Sequence, residues 1–197
     1  MPEIRTLDDA LREVRYLRDR QDILDCICRY SRGLDRHDVE ILVSAYHADA
    51  VDEHGVAMNG LPEFAQWINK LHDNRFSITL HNITTHNCEL SADTAHCESY
   101  VLFGLSTADE KAVWFGGGRY ADRLEKRSGA WKIAHRRTII EWLITGDNSL
   151  FNSPEFKAWQ YPRGTKDRTD DSYLRPLDLS PQRRADFEKQ GPMAREL

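Results

Sequence analysis

No apolar run in this chain approaches the roughly 20 residues that a membrane-spanning helix needs, so no membrane partner is expected. Cysteine is scarce, with only Cys26, Cys28, Cys88 and Cys97. Cys26 and Cys28 stand two apart on an expected helix and point in different directions, which makes no clamp. The N-terminal stretch "MPEIRTLDDALREVRYLRDR" is charged throughout and lacks the apolar centre of a secretory signal. Cytoplasmic residence is therefore expected, with the cysteines reduced and serving as small apolar side chains. An excess of basic charge is missing too. A formal net charge of -5 and a pI near 5.9 argue against nucleic acid as the main partner. A phosphate-binding loop is likewise absent. Gly116, Gly117 and Gly118 are followed by no Lys-Ser/Thr and open no helix, so a bulge, a bend or a close backbone approach is the expected reading.

What remains is an ordinary globular composition. At 197 residues, 40% of them hydrophobic, the chain can bury one core and is short for two. Thr6 with Asp8 and Asp9 reads as a helix start, a hydroxyl cap followed by acids, and the helix is expected to run to about Gly33. Leu24, Cys28, Ser31 and Asp35 fall on one stripe at helical period, and Ile23, Ile27, Tyr30 and Leu34 on its neighbour. Asp35 therefore faces inward if the helix lasts that far. Asp38 is read as the cap of a second helix, and Pro62 as sitting in the first turn of a third. "HADAVDEHG", from His47 to Gly55, reads as a loop with a short strand at most.

After residue 75 the texture changes. Four stretches rich in β-branched and aromatic residues, separated by turn signals such as Ser128-Gly129, predict four strands joined by hairpins. Helices first and strands afterwards predict an α+β protein, one face of an antiparallel sheet covered by the helices. Residues 1–150 form the expected domain. Residues 151–197, polar and rich in proline and charge, are expected to be an irregular arm lying on the body or on a neighbouring subunit.

The chemistry centres on His81, which shares a strand face with Thr79 and Ile83. A histidine beside an inward carboxylate is a simple acid/base pair. The carboxylate holds one ring nitrogen as a donor and makes the other a better base. His47, Asp49, Asp52 and His54 match no strict ligand spacing, so no metal site and no cofactor is expected. Of Arg119, Arg136 and Arg137, alternation sends Arg136 away from the face of His135 and Arg137. One arginine reaching inward could bind a carboxylate or phenolate. The aromatics Trp114, Phe115, Trp131 and Trp142 read as core or as pocket wall.

In their order, "CRYSRGLDRHDVEILVSAYHADAV", "TLHNITTH" and "FGGGRYADRLEKRSGAWKIAHRR" resemble the SnoaL-like branch of the nuclear transport factor 2-like (NTF2-like) superfamily over about residues 15–145. The resemblance implies a cone of curved, mixed sheet wrapped around N-terminal helices and enclosing an apolar pocket. It also implies a cofactor-independent lyase, a dehydratase or a retro-aldol enzyme, acting on a bulky, hydroxylated aromatic or polycyclic substrate. The catalytic Asp–His dyad of such enzymes falls on Asp35 and His81, and their tyrosine on Tyr30. Tyr46, His54, Phe103, Trp114 and Arg119 are the residues expected around the substrate. Polar residues that relatives place near Phe103, Gly118 and Tyr120 are unmatched, which leaves the leaving group open. A homotrimer is expected, with a dimer next. The rival reading is a non-catalytic ligand-binding or supporting subunit, like the β subunits of ring-hydroxylating dioxygenases.

Overall fold

In the computed structural model, which describes residues 4–61 and 63–190, the chain opens with one long helix, α1, Leu7–Asp35. Its start is a reciprocal cap. The Thr6 hydroxyl accepts from the Asp9 N–H at 3.1 Å, and the Asp9 carboxylate accepts from the Thr6 N–H at 2.9 Å, which satisfies two of the donors a helix end leaves open. The helix runs two residues past the glycine expected to end it, and those two turn Asp35 inward. Gly33 is helical because α2, Val39–Ser44, crosses tightly there. A Cβ on Gly33 would lie 2.4 Å from the Leu42 backbone nitrogen. Asp38 caps α2, accepting from the Ile41 N–H at 3.1 Å.

Next come β1, Tyr46–His54, β2, Ala57–Gly60, and α3, Glu63–Arg75. Pro62, expected in the first turn of α3, lies outside the described residues. Four long strands follow: β3, Phe76–Ser91, β4, Thr94–Thr107, β5, Ala112–Arg127, and β6, Ala130–Asp147. They are consecutive antiparallel neighbours, as the hairpin signals predict. Ser128 and Gly129 both take positive φ, 52° and 81°, the mirror-image turn whose twist suits a two-residue hairpin.

The sheet is six-stranded and mixed, in the order β2-β1-β6-β5-β4-β3. Here the sequence reading needs correction. The stretch expected to be mostly loop is β1, a nine-residue strand pairing parallel with β6. Its acids misled because each is matched by a partner, Asp52 by Tyr46, Asp49 by Arg127 and Glu53 by β6. Glu53 accepts from Arg137 Nε and Nη2, both at 2.9 Å, and lies 2.5 Å from His135 Nε2.

The glycine triplet of β5 is a place of close approach, as expected. The ladder to β6 shifts register between Gly117 and Gly118. A Cβ on Gly116 would meet the Phe103 ring at 2.3 Å, and one on Gly117 the Trp142 ring at 2.5 Å.

The concave face of the sheet packs on α1 through Ile23, Ile27, Tyr30 and Leu34, with Leu42, Phe64, Ile68, Leu124 and Ile133 around them. Within this apolar layer lies one ion pair. Arg136 donates to both Asp122 carboxylate oxygens, at 2.7 and 2.6 Å, and neither side chain is exposed at all. The rings of Tyr30 and Tyr120 each stand 4.1 Å from the Arg136 guanidinium carbon. A bidentate contact between two cation–π faces is what makes a buried guanidinium tolerable.

Past β6 the chain forms short helical turns, α4, Pro154–Ala158, and α5, Pro181–Gln190. Between them it returns to the helices. Tyr173 donates to Asp38 at 2.8 Å, Lys166 reaches Asp73 at 3.0 Å and the Phe76 carbonyl at 2.8 Å, and Arg32 lies over the Tyr173 ring.

Removing one member of a buried pair strands the other charge, at about 3–5 kcal/mol. Arg136→Met should lose stability in that range by urea denaturation, and Arg136→Met with Asp122→Leu should recover most of the loss. If the double variant is no more stable than the single, the pair does not act as a unit.

Candidate functional site

The last residue of α1 meets the middle of β3. Asp35 Oδ1 lies 2.7 Å from His81 Nδ1 and accepts from the Thr79 hydroxyl at 3.0 Å, while Oδ2 accepts from the His81 backbone N–H at 2.8 Å. Three donors converge on one carboxylate. They fix it as an acceptor and therefore fix Nδ1 as the protonated ring nitrogen. Both side chains are 9% exposed, and Nε2 has no hydrogen-bond partner among the described residues. Alternation along β3 works as expected here, with Thr79 fully buried and the His81 side chain largely buried on the same face.

Beside the pair is a cavity of about 220 Å³ whose wall includes His54, His72, Phe103, Leu105, Trp114 and Tyr120. On the other side lies a polar cleft bordered by Ser31, Arg32, Asp35, Arg36, His81 and Ser172. The pair thus sits in the partition between an apolar chamber and a polar cleft. An engineered apolar cavity of about 150 Å³ holds a benzene molecule, so of the aromatic or polycyclic substrates expected from the sequence the chamber suits a single substituted ring better.

His54, Phe103 and Trp114 stand on the cavity wall, where the sequence reading expects them. Phe103 faces His81 directly across the β3–β4 ladder, ring centres 6.0 Å apart. Trp114 packs edge-on against Phe76. Three other expected contacts do not reach the cavity. Tyr30 is completely buried beneath it, held edge-to-face by Tyr46 and Tyr120 and capped by Arg136. Its hydroxyl has no partner among the described residues, and burial drives its pKa well above the ordinary phenol value. Tyr46 is 2% exposed and gives its hydroxyl to Asp52 at 2.5 Å. Arg119 points to the outer face of the sheet, where Glu98 and Glu141 hold it at 2.8 and 2.6 Å, because its neighbour Tyr120 takes the inward position. Phe115 and Trp142 also lie on the outer face, 42% and 41% exposed. The inward arginine is Arg136, and Asp122 consumes it.

Two groups have a place beside the cavity that the sequence reading does not give them. His72 on α3 is 6% exposed and stacks on His81, ring centres 5.9 Å apart and planes within 10°. Its signal was readable, since Phe64, Ile68 and His72 recur at four-residue spacing on the inward face of α3. Burial, aided by the positive charge His81 can carry, pushes His72 down to about 3, so the ring is neutral and its Nδ1 has no partner among the described residues. The second group is Asp52, 2% exposed behind His54. Its Oδ1 lies 3.5 Å from His54 Nδ1, and the Thr138 hydroxyl lies 3.3 Å from that same nitrogen. His54 is thus a second imidazole on the wall with a carboxylate behind it.

Three comparisons place this geometry among known proteins. LinA-type3 hexachlorocyclohexane dehydrochlorinase from Novosphingobium barchaimii superposes with a TM-score of 0.63 at 22% identity, over 68% of this chain and 94% of that one. A scytalone dehydratase-like protein from Novosphingobium aromaticivorans gives 0.60 at 21% identity, over 67% and 89%. An aromatic ring hydroxylase-like protein from the same organism gives 0.57 at 21%, over 66% and 94%. At such identities the likeness is one of fold. No curated protein matches the chain. The model of the SnoaL-like domain matches residues 15–137, which span the Asp35–His81 pair and the cavity wall apart from its β6 residues, and the chain therefore belongs to the SnoaL-like domain family of the NTF2-like superfamily.

Proposed function

We propose that the chain is a cofactor-independent lyase that eliminates water, or releases a small carbonyl fragment, from a hydroxylated substrate about one ring in size. The observation that carries this reading is the imidazole of His81, bonded through Nδ1 to a fully coordinated Asp35 and bordering an apolar cavity. Dehydrochlorinase and dehydratase, the names of two proteins of this fold, both denote eliminations. That agreement supports the reaction class.

In this reading Nε2 of His81 takes a proton from a carbon of the substrate, or from a hydroxyl in the retro-aldol version. Asp35 keeps the ring in the tautomer that can do so and balances the imidazolium that forms. His54, with Asp52 behind it, is the group able to return a proton to the departing hydroxyl, so that water leaves. His72 stays neutral against the face of His81. It fills the wall beside the base without adding a like charge that would oppose its protonation. Tyr30, enclosed by Arg136, Tyr46 and Tyr120, supports the cavity floor and has no part in the chemistry.

A homo-oligomer, with a trimer first, belongs to the same proposal. Tyr100, Leu102, Phe115 and Trp142 leave an apolar strip on the outer face of the sheet, each 36–42% exposed. Leu7, Leu11 and Val14 leave another along the first half of α1. Apolar surface of this extent is what a partner copy would cover.

Hydroxylated single-ring aromatic and alicyclic compounds, screened by mass spectrometry for loss of water or formaldehyde, test the reaction. With a substrate in hand, His81→Ala should lower kcat about 10²–10⁴-fold, and Asp35→Asn should lower it with little change in KM. Turnover by His81→Ala at the parental rate would sink the proposal.

His72 gives a separate expectation for stability. Its folded pKa lies below the unfolded value near 6.5, so the unfolded chain binds the extra proton and acid favours unfolding. Stability is complete above about pH 6.5 and declines as pH falls toward 3, by on the order of 3 kcal/mol at pH 4 from this residue. Replacing it, as in His72→Phe, should flatten urea-unfolding stability between pH 6 and 4. An unchanged slope would mean that His72 is protonated in the folded state.

A further inference from the structure

At the far end of the β3–β4 hairpin from the cavity, three side chains with soft or borderline donor atoms meet on the concave face. Cys88 and Cys97 are direct cross-strand partners, and His86 pairs with Ser99 two residues along the ladder, on the same face. The His86 ring nitrogen and the two sulfurs all lie within 4.8 Å of one another, and Cys97 Sγ stands 3.0 Å from Cys88 Sγ. Cys97 is 6% exposed and Cys88 half-buried, so the cluster is walled on one side and approachable on the other.

The backbone brings His86 there by a device. Uninterrupted alternation from His81 and Ile83 would place residue 85 inward and His86 outward. A register shift between Ile83 and His86 reverses the parity, so that His86, Cys88 and Leu90 take the inward positions instead. Bulges of this kind re-aim side chains. Once inside, the ring is oriented by the Ser99 hydroxyl, 2.9 Å from Nδ1, which leaves Nε2 buried with no partner among the described residues. A ring held through one nitrogen while the other is left without a partner, with two sulfurs beside it, is the usual arrangement of a metal-binding histidine.

We infer that His86, Cys88 and Cys97 form a binding site for a soft or borderline divalent metal ion of the zinc class, with solvent at the fourth position. Two thiolates and an imidazole are a donor set that zinc accepts. Cys97 donates to Cys88. Both sulfurs bind a metal as thiolates, so binding displaces the thiol proton between them and no electron moves. The sulfurs then part from 3.0 Å to the roughly 3.8 Å that two Zn–S bonds of about 2.3 Å subtend in a tetrahedron. A disulfide is the competing fate of the two sulfurs. It would leave His86 Nε2 buried and idle, which is why the metal reading is preferred.

Titration of the reduced full-length protein with Co²⁺, followed by absorbance and then by displacement with Zn²⁺, decides the matter. One equivalent of Co²⁺ should produce a thiolate-to-metal charge-transfer band that Zn²⁺ removes. Cys88→Ser should abolish the band, and His86→Ala should weaken binding at least about tenfold. A Cys26→Ala/Cys28→Ala variant should bind as the parent does. Absence of the band from the parent protein, or equal affinity in His86→Ala, overturns the inference even if Cys88→Ser fails to fold. So does a reduced protein that takes up no metal yet yields a Cys88–Cys97 disulfide under mild oxidation, by peptide mapping.

Discussion

The contact on which the rest of the architecture turns is the carboxylate of Asp35 receiving three donors from β3. A charge at the end of a helix would ordinarily seek water. Here the Thr79 hydroxyl, the His81 amide and the His81 ring replace it, so the ion is solvated by the protein itself and its burial becomes tolerable. The same three bonds fasten the C-terminal end of α1 to the sheet, which closes one side of the cavity. They also select the protonated nitrogen of the imidazole. One interaction therefore serves the fold and orients the imidazole.

Another buried charge, Arg136, has the opposite role. Arg136 is enclosed by Asp122, Tyr30 and Tyr120, and every contact it makes is spent inside the core. Two inward ion pairs under one sheet thus diverge in use. The imidazole that Asp35 holds borders a cavity, whereas Asp122 takes Nε and Nη2 of Arg136 and the remaining Nη1 is sealed in the core without a partner among the described residues. A buried charge marks a site only where the bonding capacity left over opens on a cavity.

Much of the fold was legible because local and long-range signals agree. Thr6 with Asp9, Asp38 and Ser128-Gly129 carry their structural meaning in their own chemistry, and the stripe from Ile23 to Leu34 fixes which side of α1 is inward. The inward aspect of Asp35 followed from that stripe, and the pairing with His81 from the family resemblance. What could not be read depended on partners distant in sequence. β1 looks like a loop because Asp52 and Glu53 interrupt its apolar pattern, and only Tyr46, His135 and Arg137 explain them. Alternation separated Arg136 from its neighbours but could not say that Asp122 would stand opposite. Arg119 was misjudged because nothing local distinguishes the two faces of β5. His86 was hidden by a parity change that a strand pattern does not show.

The partition in which His81 stands has a consequence of its own. Its ring borders both the greasy chamber and the cleft edged by Ser31, Arg32, Arg36 and Ser172. Organic cargo and exchangeable hydrogen ions then need not share a doorway. An occupant could plug the chamber completely while bulk water still communicates with the imidazole from behind, so in the proposed reaction resetting the base does not have to wait for the product to depart.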